Sequence, residues 1–208
     1  MPRGSEKLTQ ARREEIIAAC AKLYERMSFK EITIKEIALE TSFTRPSIYN
    51  YFTTKEEIFL ALLQREYEQW VRELEALREG AQPNNATAFA EGMARTLEQR
   101  CRLLKIMTMN IHDMEDNSRP GPLAEMKAAY GSSIRAVEAC LKAYFPDMTA
   151  PQREEFIYAF FPFVYGIYPY AVVSDKQRTA METAGVPFRY HSIYELAYTC
   201  ILRLLARA

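Results

Sequence analysis

Apolar residues recur at intervals of three and four along most of this sequence, which is the period of an amphipathic α-helix. The first periodic segment spans about residues 9–27, and its apolar face consists of Ile16, Cys20, Leu23 and Met27. Residues 28–30 interrupt the period. The pattern therefore predicts a first helix that ends just before residue 28.

Two shorter helices are predicted next. Thr33 precedes Ile34, and Glu36 stands three residues after it, which is the pattern of a capping box with Thr33 as the N-cap. This second helix is expected to end near residues 41–42. A third begins after Thr44 as its cap, with Pro46 in the first turn, where a missing N–H costs nothing. Short helices joined in this way form a helix-turn-helix unit.

A helix of about two turns is unstable alone in water, so the third helix needs anchors. Ile48 and Phe52 are the expected anchors. They would share a small core with residues of the first two helices and their connection, namely Ile16, Cys20, Leu23, Phe29, Ile34, Ile37 and Ala38.

After Lys55 the helical period continues without a break to about Glu79, which predicts a long fourth helix. A loop at residues 80–85 follows, and further helices are predicted over residues 87–99, 101–113, 122–145, 151–173 and 190–207. Residues 174–190 are expected to form a loop with a short helical piece. The chain is thus predicted to be all-α, with a helix-turn-helix domain at residues 1–54 joined by the long helix to a helical C-terminal domain at residues 55–208.

Composition agrees with this fold class. Hydrophobic residues make up 49% of the 208 residues and only seven residues are glycine, so the chain can bury a helical core. Residues 1–10 lack the apolar stretch of a secretory signal. The uncharged stretch at residues 156–173 contains two prolines, a glycine and four tyrosines, and is a poor membrane span. We expect a cytoplasmic protein without a membrane partner.

The cysteines and histidines do not suggest a metal site. Cys20, Cys101, Cys140 and Cys200 lie far apart within predicted helices, so they are expected to be reduced, buried, small apolar residues. The two histidines, His112 and His191, are also far apart. Neither a metal nor a cofactor is expected.

Candidate chemistry is concentrated around the third helix. The formal net charge is zero, so attraction to nucleic acid would depend on local clusters. The outward face of the helix carries Arg45, Pro46, Ser47, Tyr49 and Asn50. Arginine pairs with guanine and asparagine with adenine in the major groove, and Pro or Tyr can contact a thymine methyl group. Thr33, Thr44 and Lys55 are suited to phosphate, because they combine hydroxyls, helix N-termini and a positive charge.

Basic residues also occur at the start of the chain. Arg3, Lys7, Arg12 and Arg13 precede or open the first helix. We expect them to form a flexible arm that follows the DNA backbone or enters a minor groove.

A specific motif ends the third helix and opens the fourth: Ser47-Ile48-Tyr49-Asn50-Tyr51-Phe52, followed by Lys55-Glu56-Glu57-Ile58. With the preceding Thr33-Ile34 and Ile37-Ala38, it resembles the DNA-binding domain of the tetracycline-repressor (TetR) family over about residues 10–60. The resemblance implies a bacterial, ligand-responsive transcriptional regulator, most often a repressor. It also implies a homodimer that binds a near-palindromic double-stranded DNA operator and is released by a small-molecule effector.

The resemblance also assigns roles to residues. Tyr49 and Lys55 match phosphate-contacting positions, and Arg45, Pro46 and Asn50 match base-reading positions. Two departures stand out, because the family usually has glycine in the inter-helix turn and after the first helix, where this chain has Ser42 and Met27-Ser28. A non-glycine residue adopts a left-handed turn conformation only at some cost.

Beyond residue 60 the resemblance extends only to the layout of a C-terminal ligand-binding and dimerisation domain. Candidate effector contacts are polar or aromatic residues within apolar helices, near the flexible Met107, Met109, Met114 and Met126. The candidates are Trp70, Met107, Asn110, His112, Tyr130 and Phe163. Each could equally be an ordinary core residue.

Residues 156–170 contain eight aromatic rings around Pro162, Gly166 and Pro169. Two interpretations remain open. This helix and the last one could form half of a four-helix dimer interface, which the family places at its final two long helices. Alternatively, proline kinks could open a cavity lined by the rings. The first half of the segment could also serve the cavity and the second half the interface. We favour dimerisation.

Two other functional classes are the alternatives to a DNA-binding regulator. An enzyme would use Cys101 with His112, or the acidic group Asp113, Glu115 and Asp116. No catalytic or nucleotide-binding motif supports this, and we expect no enzyme. A protein-interaction module would dock the third helix on a protein partner. Substitutions of Arg45 and Tyr49 separate that function from DNA binding.

Overall fold

The computed structural model describes residues 3–206, with only the backbone described for residues 3–5 and 109. All regular structure in this range is helical. The N-terminal helices are α1 (Arg3–Arg26), α2 (Ile34–Leu39) and α3 (Arg45–Ile48), and the long α4 is Lys55–Glu79. The predicted all-α class, with a helix-turn-helix unit followed by a long helix, is confirmed.

The remaining helices follow the predicted order with adjusted ends. They are α5 (Ala86–Gln99), α6 (Cys101–Asp116), α7 (Pro120–Tyr144), α8 (Ala150–Gly166), α9 (Tyr168–Ala171), α10 (Asp175–Thr183) and α11 (Ile193–Leu205). The predicted helix over residues 151–173 is therefore wrong after residue 166. Pro162 is tolerated inside α8, but the helix ends at Gly166, and Pro169 lies in the first turn of α9, where its missing N–H costs no bond.

The chain divides into two compact units. The first comprises Met1–Arg65 and Asn110–Ala129, and the second comprises Glu66–Met109 and Tyr130–Ala208. The predicted helix-turn-helix domain at residues 1–54 lies within the first unit. That unit also contains residues 110–129, which are part of α6, the connection and the start of α7.

The core of the first unit matches the predicted set. Ile48 and Phe52 are almost completely buried, so the short α3 has the anchors it needs. The other predicted core residues are buried as well, except Ala38, which is half-buried: Ile16, Cys20, Leu23, Phe29, Ile34 and Ile37. Burying aliphatic and aromatic side chains stabilises each by about 1.5–3 kcal/mol, which offsets the cost of ordering a helix of four residues.

The turns explain why glycine is not required at the two unusual positions. Asn84 is the non-glycine residue with a positive φ in the described part of the chain, so neither Ser42 nor Ser28 adopts the left-handed conformation. The Ser42 N–H instead donates to Glu15 Oε1 of α1 at 2.7 Å, and the Ser28 N–H and hydroxyl both donate to Glu31 Oε2. Carboxylates thus satisfy the backbone donors of both turns.

The expectation of a flexible basic arm is wrong for the described residues. The helix begins at Arg3, so Lys7, Arg12 and Arg13 are helical. The side chain of Arg3 lies outside the described residues.

In the second unit, α11 packs mainly against α5 and also contacts α8 and α9. Ile193, Ala197 and Ile201 form its buried face. Of the cysteines, Cys20 and Cys140 are buried as predicted, whereas the prediction is wrong for Cys101, which is exposed at the start of α6, and for Cys200, which is half-buried. None of the helices over residues 3–206 is long and apolar enough to cross a membrane.

Candidate nucleic-acid interface and effector pocket

The exposed face of α3 presents an arginine and a tyrosine side by side. Arg45 is exposed and Tyr49 keeps 46% of its surface accessible. One turn separates them, and Arg45 Nη2 lies 3.3 Å from Tyr49 Oη. The guanidinium also lies 6.0 Å from the centre of the tyrosine ring. Because Ile48 holds the opposite face in the core, these two side chains project together into solvent.

The other residues predicted for the outward face of α3 lie next to this pair. Pro46 and Asn50 are exposed, and Ser47 is half-buried. The Ser47 hydroxyl lies 3.0 Å from the hydroxyl of Thr44. The structure thus places all five residues predicted for the outward face on one short helix and the turn after it.

Thr33 and Thr44 both occupy N-cap positions, as predicted, but their side chains differ. The Thr33 hydroxyl accepts from the N–H groups of Lys35 and Glu36 at 3.2 and 3.5 Å, and it also bonds the Glu36 carboxylate. The Thr44 hydroxyl makes no capping bond to α3. Both side chains are exposed, so both are accessible to a backbone phosphate.

Lys55 has a structural role beside any role in binding. Its ammonium donates to the carbonyl oxygens of Phe29 and Ile32 at 2.7 and 3.2 Å, and lies 4.2 Å from the centre of the Phe29 ring. An ammonium has three N–H donors, so one remains for a phosphate. The lysine holds the connection between α1 and α2 against the start of α4.

Two arginines of α1 contact residues on either side of α3. Arg12 Nη1 lies 3.3 Å from Tyr51 Oη, and its guanidinium lies 5.5 Å from the Phe43 ring centre. Arg13 donates to the Tyr51 carbonyl at 3.4 Å and lies 4.6 Å from the Phe52 ring centre. Both were expected in the flexible basic arm, although the helical period predicted over residues 9–27 includes them. They add positive charge beside α3.

An ion pair between a buried carboxylate and a largely exposed arginine fastens the start of α4. Glu57 is fully buried as a side chain, and Arg119 binds it with Nε at 2.5 Å and Nη2 at 2.8 Å. The Thr53 N–H donates to the same carboxylate at 2.8 Å. Thr54 Oγ1 also donates to the Asn117 carbonyl. The segment between α6 and α7 is thereby fixed to the turn that follows α3, and sequence reasoning did not identify this pair.

The predicted effector residues separate into three groups. Trp70 and Met107 are completely buried, and Trp70 Nε1 donates to Thr96 Oγ1 at 3.0 Å. Both therefore belong to the packed core of the second unit. Met114 and Met126 are buried in the first unit, and the side chain of Met109 lies outside the described residues.

Asn110 and His112 belong to the first unit. Asn110 Oδ1 accepts a hydrogen bond from Tyr24 Oη of α1 at 3.0 Å, and His112 is exposed. Neither residue lines the two openings described next.

Tyr130 and Phe163 line openings in the second unit. Tyr130 lines a cavity of about 610 Å³ between α7 and α8. Phe163 lines a smaller apolar groove of about 320 Å³, together with Gly166, Ile167, Tyr170 and Leu196. A volume of 300–1,000 Å³ is typical of small-molecule sites.

The larger cavity is rich in aromatic rings. Its α7 wall consists of Tyr130, Ile134 and Glu138, and its α8 wall includes Glu154, Ile157, Tyr158, Phe161, Pro162 and Tyr165. Burial is the main cause that raises the pKa of Tyr130 above its ordinary value. Tyr165 Oη lies 3.2 Å from Tyr67 Oη, and burial together with this contact raises the pKa of Tyr67 well above its ordinary value. The phenols of Tyr130 and Tyr67 therefore stay neutral at physiological pH.

Two family models match the chain. The model described as "Bacterial regulatory proteins, tetR family" matches residues 16–62, which contain α2, α3 and the start of α4. The model described as "Tetracyclin repressor-like, C-terminal domain" matches residues 64–203. This chain belongs to the TetR family. It is thus a DNA-binding transcriptional regulator, and regulators of this family are generally not enzymes.

Solved structures share the fold of this TetR-family chain. The fatty acid degradation regulator FadR of Bacillus halodurans has a TM-score of 0.62 at 12% identity, over 93% of this chain and 94% of that one. FadR of Bacillus subtilis, in complex with stearoyl-CoA, has a TM-score of 0.60 at 12% identity, over 94% and 98%. SmeT, the repressor of the Stenotrophomonas maltophilia multidrug efflux pump SmeDEF, has a TM-score of 0.55 at 16% identity, over 96% and 91%.

A curated relative matches a shorter segment. The HTH-type transcriptional regulator YfiR of Bacillus subtilis (strain 168) is 27% identical over 74 residues, which is 36% of this TetR-family chain. The match likewise spans 36% of that relative's length.

Proposed function

We propose that this TetR-family regulator works in the cytoplasm as a homodimeric repressor. Each copy inserts α3 into the major groove of a near-palindromic operator, with half-sites about 34–36 Å apart. A small-molecule effector binds the C-terminal part of the chain and releases the protein from DNA. No catalysed reaction is assigned to the chain.

One observation carries the DNA-reading role: Arg45, Tyr49 and Asn50 are exposed on a helix whose opposite face is anchored by the buried Ile48. A guanidinium and a carboxamide are the groups that read guanine and adenine in the major groove. Thr33, Thr44, Lys55 and the adjacent arginines of α1 are candidates for the phosphate backbone. Phosphate contacts of this kind position the helix and make affinity depend on salt.

The cavity between α7 and α8 is the candidate effector site. Its volume of about 610 Å³ suits a small molecule. Tyr130, one of the effector contacts predicted from the sequence, lines it. Of the similar structures, Bacillus subtilis FadR is in complex with stearoyl-CoA, which supports a small-molecule effector here. An effector releases DNA only as far as it prefers one conformation of the chain.

The homodimer is supported by apolar side chains that the single chain leaves half-exposed. On α11, Leu196, Cys200 and Leu204 are half-buried. The groove of about 320 Å³ between α8 and α11 is almost entirely apolar. Unpartnered apolar surface of this type is typical of a protein–protein interface.

Selection from a random duplex DNA library, followed by fluorescence anisotropy, tests the proposal. The unaltered protein is expected to enrich a near-palindromic site. Arg45→Ala and Tyr49→Ala are each expected to weaken binding to that site about tenfold or more, because each removes a contact to the bases or to the phosphate backbone. Arg95→Ala removes one positive charge from α5 and is the matched control, expected to change little.

Two results would contradict the proposal. One is a library that yields no enriched sequence at moderate salt. The other is an enriched site whose affinity is unchanged by Arg45→Ala and Tyr49→Ala, which would assign recognition to another surface.

A further inference from the structure

The cavity between α7 and α8 is a crevice between two helices of one hairpin. On α7 its lining recurs every four residues, from Tyr130 to Glu138, so one face of the helix forms the wall over about 12 Å. On α8 the facing wall runs from Ala150 to Tyr165. Residues 145–149 connect the helices, so Glu138 and Glu154 lie toward the connection and Tyr130 and Tyr165 lie farther from it.

Aromatic rings form the end away from the connection. The Tyr130 and Phe161 ring centres are 5.5 Å apart and almost perpendicular, and the Tyr130 and Tyr165 centres are 6.3 Å apart. Tyr158 lies one turn before Pro162 on the same wall and keeps 72% of its surface exposed. Aromatic faces carry negative potential and attract cations within about 6 Å.

The charged groups of the crevice are carboxylates. Glu138 and Glu154 line it, and none of its described lining residues is Lys, Arg or His. Lys142 and Arg153 pair with Glu138 at 2.7 and 3.7 Å, and the Lys142 hydrogen bond is the main cause that lowers the pKa of Glu138. Among the described residues no ion pair involves Glu154, so its charge is left for a ligand.

This electrostatic character differs from what an acyl-CoA needs. The phosphates of coenzyme A are anionic and are ordinarily bound by arginine, lysine or helix N-termini. Lys142 and Arg153 offset the charge of Glu138, so the lining charge without an ion-pair partner among the described residues is the carboxylate of Glu154, which disfavours an anion. A positively charged aromatic or lipophilic molecule, in contrast, would gain from the rings and from Glu154.

We propose that the α7–α8 crevice binds lipophilic organic cations. The rings of Tyr130, Tyr158 and Phe161 hold the apolar body, and Glu154 attracts the positive charge. The inference rests on the proposed function, because it names the chemical class of effector for that site.

Intrinsic fluorescence gives a direct test on the full-length protein. Trp70 is the only tryptophan, and its ring centre lies 6.1 Å from that of Phe161, which lines the crevice. Tetraphenylphosphonium and tetraphenylborate are nearly identical in size and opposite in charge. Titrations followed by Trp70 emission, and repeated by calorimetry, are expected to show the cation binding about tenfold more tightly than the anion.

Variants locate the preference. Glu154→Gln is expected to reduce the cation-to-anion affinity ratio about fivefold, since it removes one exposed attraction of ordinary strength. Tyr158→Leu keeps an apolar side chain but removes the π face, and is expected to weaken the cation alone. Glu155→Gln changes the neighbouring exposed carboxylate and is expected to leave the ratio unchanged.

Tighter binding of tetraphenylborate, equal binding of both ions or no binding of either would overturn the inference. A preference that survives both Glu154→Gln and Tyr158→Leu would overturn it as well. The titration contains no DNA, so a protein that selects no operator would contradict the proposed function and leave the cation result intact. An operator-binding protein without cation preference gives the opposite outcome.

Discussion

Glu57 shows how one side chain can hold the end of the helix-turn-helix unit in place. Its carboxylate is fully buried in the first turn of α4 and accepts from both Arg119 and the Thr53 N–H. A buried charge is tolerated only when it is paired and hydrogen-bonded. The Arg119 hydrogen bond is the main cause that lowers the pKa of Glu57, and burial opposes it.

We predict that Glu57→Gln lowers the free energy of unfolding by about 2 kcal/mol at pH 7. Because the pKa of Glu57 is lower in the folded state, its contribution is complete above the ordinary carboxyl pKa of about 4.3 and is lost as the pH falls through the folded-state pKa. The difference in the free energy of unfolding between the unaltered protein and Glu57→Gln should therefore shrink below about pH 4. Urea denaturation across this range measures it.

Glu56→Gln is the matched control, because Glu56 lies in the same turn and is only half-buried. Glu56→Gln is expected to lower the free energy of unfolding much less than Glu57→Gln does. Equal losses for the two variants would mean that the ion pair with Arg119 contributes nothing particular to stability.

At the scale of the element, α2 and α3 begin alike in sequence but not in structure. Each follows a threonine in extended conformation at the N-cap. Thr33 accepts from two N–H groups of its helix, whereas the Thr44 hydroxyl contacts Ser47 Oγ and caps nothing. Packing of Ile48, rather than a cap, then holds α3.

This difference predicts unequal costs for the same substitution. Thr33→Ala should lower the free energy of unfolding by about 1 kcal/mol, the usual value of an N-cap bond. Thr44→Ala should cost less than half of that. Thermal or urea unfolding of the pair tests it, and each variant serves as the control for the other. A larger loss for Thr44→Ala would show that its hydroxyl does cap α3 in solution.

At the scale of the whole molecule, α8 contributes to two openings through different residues. Tyr158 and Pro162 line the crevice toward α7, whereas Phe163 and Gly166 line the apolar groove toward α11. The two interpretations offered for residues 156–170 therefore need not compete. We assign the first opening to the effector and the second to the dimer as parts of one proposal.

We predict that Leu196→Arg converts the dimer to a monomer, since it puts a charge into an apolar interface. Leu196 is only half-buried in the single chain, so the variant should fold. Sedimentation velocity measures the state, and circular dichroism checks the helices. Gln99→Arg adds the same charge at an exposed position at the end of α5 and should remain a dimer. A dimeric Leu196→Arg protein would place the interface elsewhere.

Much of the fold follows from local pattern. The helical period predicted α4 through α7 to within a few residues, because helices depend on neighbours three and four apart. The end of α8 was missed, since a proline inside a helix and a proline that begins a new one look alike in sequence. The Ser42 turn was also unexplained by sequence, because the partner of its N–H, Glu15, lies on another helix.

By itself the sequence determined the family, the helix-turn-helix unit and the exposed residues of α3, because these depend on short-range pattern and a specific motif. Only the tertiary structure decided which distant side chains meet. Arg119 binds Glu57 and Asn110 binds Tyr24, across 62 and 86 positions of the chain. The crevice likewise exists only where two helices pack imperfectly, which no local pattern encodes. Buried polar partners and cavities arise from packing between helices, and that packing depends on residues that are far apart in the sequence.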